Sequence, residues 1–181
     1  MPLIKMIEVE VKARTDLDYT RKLLEEQGAR FVETEHHFDS YYNAPHRDFA
    51  HTDEALRIRS RDGKAFLTYK GKKKDSISKT REEFETLVDP ESMRNILLSL
   101  GFREYGVVEK ERDVYKLNDF VIALDSVEKL GEFIEVELGA ESESEIEQKS
   151  KRIFQFLKKM GIGKEKSIRK SYLELMMEER G

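Results

Sequence analysis

Cysteine is absent from these 181 residues, which excludes a disulfide scaffold and a metal site built on thiolates. Long apolar runs are absent too. None approaches the length a bilayer crossing needs, and the first residues carry no apolar signal region, so the expected setting is the cytoplasm. Neither sign of charge is in large excess: 33 Lys and Arg stand against 37 Asp and Glu, a net charge of −4. Bulk attraction to nucleic acid or to a membrane surface is therefore not expected, and any anion site must come from local clustering. The 4 histidines include no helical pair of the kind that holds zinc. What the chain has in quantity is charge of both signs, 39% of its residues. At this length a single domain, 1–181, is expected, large enough to bury a substantial core.

The placement of that charge is the informative feature. In Ile7-Glu8-Val9-Glu10-Val11-Lys12, a strand puts Glu8, Glu10 and Lys12 on one face and Ile7, Val9 and Val11 on the other. The pattern recurs. Arg57 and Arg59 alternate with Leu56 and Ile58, Lys110 and Arg112 flank Glu111, and Glu135 and Glu137 alternate with Ile134, Val136 and Leu138. One such strand reads most simply as a solvated face. Several of them point to a closed or strongly curved sheet with a polar lumen.

Strands are expected over about 3–13, 30–43, 54–61, 64–70, 79–88, 103–117, 120–127 and 131–138, with helices over about 16–27, 90–101, 142–160 and 165–179. Asp16 is a candidate cap, Pro90 a helix opener, and Asp62-Gly63 a hairpin turn. Lys72-Lys73-Lys74 is expected to be a surface loop. His36 and His37 read as strand residues with ordinary partners, and Ile168, Tyr172, Leu175 and Met176 as a helix face packed on the sheet. A half-hidden repeat relates Glu35 to Asp39 and Tyr41 with Glu109 to Asp113 and Tyr115. Duplicated units would place equivalent strand faces around one axis.

Glu8-x-Glu10-x-Lys12 resembles the signature of the CYTH superfamily, the triphosphate tunnel enzymes. The likeness runs over nearly the whole chain, through Leu56-Arg57-Ile58-Arg59, Tyr69-Lys70-Gly71, Arg81-x-Glu83-x-Glu85, Lys110-x-Arg112, Asp125 and Gly131-x-Phe133-x-Glu135-x-Glu137. Phe38 to Arg59 and Gly131 to Glu137 are most similar to the class IV adenylyl cyclase branch. The resemblance implies an α+β fold: a closed eight-stranded antiparallel β-barrel with helices packed outside, whose lumen is a triphosphate tunnel. It also implies conversion of ATP to 3′,5′-cyclic AMP and pyrophosphate. The alternative is a triphosphatase acting on inorganic tripolyphosphate, thiamine triphosphate or a nucleoside triphosphate.

A triphosphate carries about four negative charges, so its site needs several converging cations. Lys12, Arg57, Arg59, Lys70, Arg81, Lys110 and Arg112 are the candidates. Carboxylates facing phosphate would repel it unless a hard divalent cation accepts oxygens from both, which points to Mg²⁺ or Mn²⁺ as cofactor. Glu8, Glu10, Asp125, Glu135 and Glu137 are the candidate ligands. Lys12 and Glu10 are the catalytic candidates: Glu10 through the metal, Lys12 as a phosphate contact or, if neighbouring cations depress it, a general base. Glu83 and Glu85 either face the lumen or form salt bridges within its ring. The expected partner is the triphosphate, with no nucleic acid and no membrane; a homodimer is left open.

Overall fold

Residues 7–72 and 82–179 are described in the computed structural model. In chain order they form β1 (Ile7–Arg14), α1 (Leu17–Glu26), β2 (Arg30–Asn43), α2 (Phe49–Thr52), β3 (Ala55–Arg61), β4 (Lys64–Lys70), β5 (Glu83–Val88), α3 (Pro90–Ser99), β6 (Arg103–Leu117), β7 (Phe120–Val127), β8 (Gly131–Ala140), α4 (Ile146–Lys159), β9 (Ser167–Ile168) and α5 (Tyr172–Glu179). Local chemistry accounts for many of the boundaries. The Asp16 carboxylate accepts from the Tyr19 backbone N–H at 2.8 Å and starts α1. Asp89 does the same for Ser92 at 2.8 Å, with Pro90 in the first turn of α3. Asp62 and Gly63 both take positive φ, 49° and 75°, as a two-residue turn matched to strand twist requires.

The strands form one antiparallel sheet in the order β5-β4-β3-β2-β6-β7-β8-β1-β9. Its apolar core lies outside the curve of the sheet. Val9, Val11 and Ala13 of β1 and Ile134, Val136 and Leu138 of β8 pack against α1 and α4. Leu56 and Ile58 of β3 sit with Leu97 of α3. Burying each such side chain is worth about 1.5–3 kcal/mol, and a one-residue slip would drive Glu8, Glu10 and Lys12 into this layer. That penalty sets the register and turns the charged parity inward. Across the inner face, α5 contributes Tyr172 and Met176 to a smaller apolar cluster with Val108 and Phe133.

The sheet is strongly curved. β1 and β5 are separated by six strands in the order above, yet Glu8 of β1 is near enough to Glu83 and Glu85 of β5 for their charges to act on it. Among the described residues the sheet has nine strands where the resemblance implied eight. Its end strands, β5 and β9, are not hydrogen-bonded to each other among the described residues. The ninth strand is only two residues long and pairs with Lys12 and Ala13 of β1. It occupies part of the expected helix 165–179, which begins only at Tyr172.

The repeat does not hold as geometry. Asp39 faces the lumen and pairs with Arg59, whereas its counterpart Asp113 faces outward to Arg21 of α1. Tyr41 lies against the α5 cluster, while Tyr115 belongs to the outer core. Arg81, Lys73, Lys74 and the starts of the first and fifth expected strands fall outside the described residues. No helix among the described residues is long and apolar enough to cross a membrane.

Candidate active site

A cavity of about 500 Å³ occupies the concave side of the sheet. The strands contribute Glu8 and Glu10 of β1, Asp39 of β2, Arg57 and Arg59 of β3, Lys70 of β4, Glu83 of β5, Lys110 and Arg112 of β6, and Glu135 and Glu137 of β8, and further charge comes from Asp53, Glu54, Arg169, Lys170, Glu174 and Glu178. The strand residues are the inward parities of strands brought together from the two ends of the chain.

Two buried aspartates aim the cations. Asp39 sits directly across the β2–β3 ladder from Arg59 and accepts from its Nε and Nη2, each at 2.6 Å. Arg57 Nη1 is farther from the same carboxylate, at 3.5 Å, and its buried Nε has no hydrogen-bond partner. A buried donor left unsatisfied is costly, and an anion in the cavity would satisfy it. Burial opposes the charge of Asp39, but the Arg59 fork with the Arg57 and Lys110 charges holds its pKa down at about 2. Asp125 lies across the β6–β7 ladder from Arg112 and is 0% exposed. It accepts from Arg112 Nε at 2.7 Å and Nη2 at 2.6 Å, from Lys110 Nζ at 3.0 Å and from the Tyr172 hydroxyl at 2.7 Å. Arg112 also reaches Glu135. Burial, followed by the charge of a neighbouring arginine, lowers the pKa of both Lys110 and Lys70.

The carboxylates on the opposite side repel one another. Glu10 and Glu137 face each other across the β1–β8 ladder, where like charges destabilise a sheet. Burial, then the charges of Glu8 and Glu10, push Glu137 up to about 7. Glu8 is raised as well, by burial and then by Glu83. Glu137 therefore holds a proton for much of its time near neutrality unless a cation replaces it. Among the described residues, no group of three His, Cys, Asp or Glu side chains is arranged to hold a metal ion by itself. These are hard oxygen donors facing a cationic wall, and Mg²⁺ commonly takes one or two carboxylates and completes its shell with water and substrate phosphate.

The CYTH domain family model matches residues 6–172. The chain belongs to this family. "Putative adenylate cyclase MJ0240" of Methanocaldococcus jannaschii is 44% identical over 172 residues, 94% of this chain and 98% of the relative. The solved structure of the PH1819 protein from Pyrococcus horikoshii OT3 is 40% identical, with a TM-score of 0.87 over 96% of this chain and 99% of that one. A more distant structure, "Putative adenylyl cyclase HpAC1 from Hippeastrum", is described as having a dominant triphosphatase activity. It is 22% identical with a TM-score of 0.63, over 87% of this chain and 88% of that one.

In this CYTH chain most of the residues singled out by sequence meet at one cavity: Glu8, Glu10, Arg57, Arg59, Lys70, Lys110, Arg112, Glu135 and Glu137. Three are held by other groups of the protein. Asp125, expected as a metal ligand, is enclosed by Arg112, Lys110 and Tyr172, and its hydrogen bonds orient cations. Glu135 is engaged by Arg112, with Lys12 Nζ at 3.9 Å. Lys12 is a buried group beneath the Tyr172 ring, 4.0 Å from its centroid, and is not on the cavity wall. Glu83 faces the cavity and pairs with Lys70 at 2.6 Å, while Glu85 accepts from Thr68 at 2.7 Å. His37 is buried beside Glu35; burial, then the Arg59, Lys110 and Arg112 charges, lower its pKa to about 2, so its ring is neutral.

Two participants were missed. Asp39 shares an inward parity with Tyr41, a signal that period-two reading of its strand could have caught. Tyr172 was read as packing, which it is, but its hydroxyl also reaches Asp125; helical spacing carries no trace of that bond.

Proposed function

We propose that this protein is a metal-dependent enzyme that converts ATP to 3′,5′-cyclic AMP and pyrophosphate within the lumen of the curved sheet. The observation that carries the reading is the apposition, in one cavity, of the Arg57–Arg59–Lys70–Lys110–Arg112 wall with the Glu8–Glu10–Glu137 cluster. Such a wall suits a polyanion, and the opposing acids suit the divalent cation that accompanies it. The name of the 44% identical relative favours cyclisation. A reaction on ATP fits the cytoplasmic setting expected from the sequence.

Glu8, Glu10 and Glu137 are the residues that would hold Mg²⁺ or Mn²⁺, with phosphate oxygens completing the shell. When bound, the cation supplies charge neutralisation and acidifies the attacking hydroxyl. The chain's own cations do the rest. Arg57, with its unmatched donor, and Lys70 take phosphate oxygens, while Arg59 and Arg112, locked by Asp39 and Asp125, present fixed positive charge to the leaving pyrophosphate. The ribose 3′-oxygen attacks the α-phosphorus in line, the bond to the bridging oxygen of pyrophosphate breaks, and the 3′-hydroxyl proton passes to a cavity carboxylate or to solvent. Preorganisation is the main contribution here, because the buried aspartates hold the arginines before substrate arrives.

A second reading, hydrolysis of tripolyphosphate, thiamine triphosphate or a nucleoside triphosphate, is favoured by the same wall, since every one of its cations needs only phosphate oxygen. The two are separated by incubating the protein with ATP, 3′-deoxy-ATP, tripolyphosphate and thiamine triphosphate in Mg²⁺ or Mn²⁺ and identifying products. Cyclisation gives cyclic AMP and pyrophosphate from ATP and no cyclic product from 3′-deoxy-ATP. Release of ADP and phosphate without cyclic AMP, together with faster cleavage of tripolyphosphate, would overturn the cyclase and leave the hydrolase.

A further inference from the structure

The cavity is not charged throughout. Inward residues of β2 run Asp39, Tyr41, Asn43, each step about 7 Å along the strand, and α5 with its approach lines the cavity with charged groups (Arg169, Lys170, Glu174, Glu178) and with apolar ones. On one side Tyr41 pairs with Arg57, and on the other with Gly106 of β6. Side chains from α5 fill the space that the glycine leaves. A Cβ at position 106 would lie 2.7 Å from Leu173 Cδ1 and 2.8 Å from Met177 Cε. Leu173 and Met177 are one helical turn apart, so they share a face of α5. Both are half-buried and line the cavity, whereas Tyr172 and Met176 are buried in the apolar cluster beneath. Tyr105 and Phe49 line the cavity too.

The tips of Leu173 and Met177 are covered by Gly106, but the flanks that line the cavity gain burial only when something apolar covers them. An inorganic triphosphate, whose surface is oxygen, offers nothing of that kind. A nucleobase does: its flat face suits a thioether and a branched aliphatic chain. Gly106 stands two strand spacings, about 10 Å, from Arg57, which leaves room for a sugar between phosphate and base. We propose that Leu173 and Met177, seated on Gly106, form the nucleobase subsite and determine selection of nucleoside triphosphates over inorganic ones. This rests on the reading of the charged wall as a triphosphate site.

The test measures binding to the full chain in Mg²⁺, using analogues of ATP and of tripolyphosphate in which methylene groups replace both bridging oxygens, so that neither reacts. The unaltered protein should prefer the ATP analogue. Leu173→Ala and Met177→Ala should each weaken the ATP analogue about tenfold while leaving the tripolyphosphate analogue within about twofold, the scale of lost apolar contact in a pocket. Met177→Leu, which keeps the volume, should retain the preference. Unchanged tripolyphosphate binding also reports that the lumen of each variant is intact. Equal losses for both ligands, no loss for either, or equal affinities in the unaltered protein would each overturn the subsite while the triphosphate site stands. Failure of the unaltered protein to bind either analogue would overturn the triphosphate reading itself, and the subsite with it.

Discussion

Glu137→Gln offers a direct measure of the strain stored in the acid cluster. Burial and the charges of Glu8 and Glu10 raise the Glu137 carboxyl from its ordinary 4.5 to about 7 in the folded protein. Between those two pH values the folded state holds a proton that the unfolded chain has released. Stability is therefore present below about pH 4.5 and lost as pH climbs through about 7. At about 1.4 kcal/mol per pH unit the ceiling is about 3 kcal/mol, and water reaching the half-buried side chain lowers it to about 2 kcal/mol. Glutamine removes the ionisation and keeps the shape. In EDTA, the variant should be more stable than the parent at pH 8 by about 2 kcal/mol, or about 4–8 °C in melting temperature for a chain of this size, with the gap closing toward pH 5. Adding Mg²⁺ should stabilise the parent at pH 8 more than the variant, because a ligand that binds only the folded state adds to its stability. Urea or thermal unfolding at pH 5, 6, 7 and 8 provides the readout. Parallel pH profiles for the two proteins, or a variant less stable than the parent at pH 8, would refute the argument that these carboxylates crowd one another.

Arg57→Ala should weaken triphosphate binding by about 2–4 kcal/mol, the scale of a truncated charge-assisted contact in a partly desolvated site, whereas exposed Lys72→Ala should lose less than about 1 kcal/mol by calorimetry. Equal losses at the two positions would mean that the cation wall is not the binding surface. Asp125→Asn should destabilise the fold by about 3–5 kcal/mol in urea melts, since it leaves Lys110 and Arg112 in a buried site without their central anion. Glu10→Ala should abolish turnover with the circular dichroism spectrum preserved, and excess EDTA should do the same to the parent; activity surviving either treatment would remove the metal from the mechanism.

Alternation of charge with β-branched and aliphatic residues is a property of neighbours in the chain, and it was enough to identify β1, β3, β6 and β8 and to place Glu8, Glu10, Arg57, Arg59, Lys110, Arg112, Glu135 and Glu137 on one face. Turn and cap chemistry at Asp16, Asp62-Gly63 and Pro90 is local in the same sense, so the boundaries there were legible. Pairing partners were not. That Arg59 meets Asp39 depends on the register between strands joined through a helix, and that register comes from burial of the opposite faces; Arg112 and Asp125 are the exception, because the two-residue turn at Asn118-Asp119 sets their register locally. The same limit explains Lys12: its parity was read correctly, but a helix about 160 residues later lays Tyr172 over it. Residues 165–179 show helical spacing throughout, and only docking on β1 pulled Ser167 and Ile168 into a strand. The sequence by itself determined which face of each strand carries charge, because side-chain direction alternates with a fixed period. The tertiary structure alone decided which charges are held in pairs, which remain available to a ligand, and where α5 lines the cavity with apolar side chains. Those outcomes depend on distances between segments that share no local code, down to the missing Cβ of Gly106 that lets Leu173 and Met177 approach.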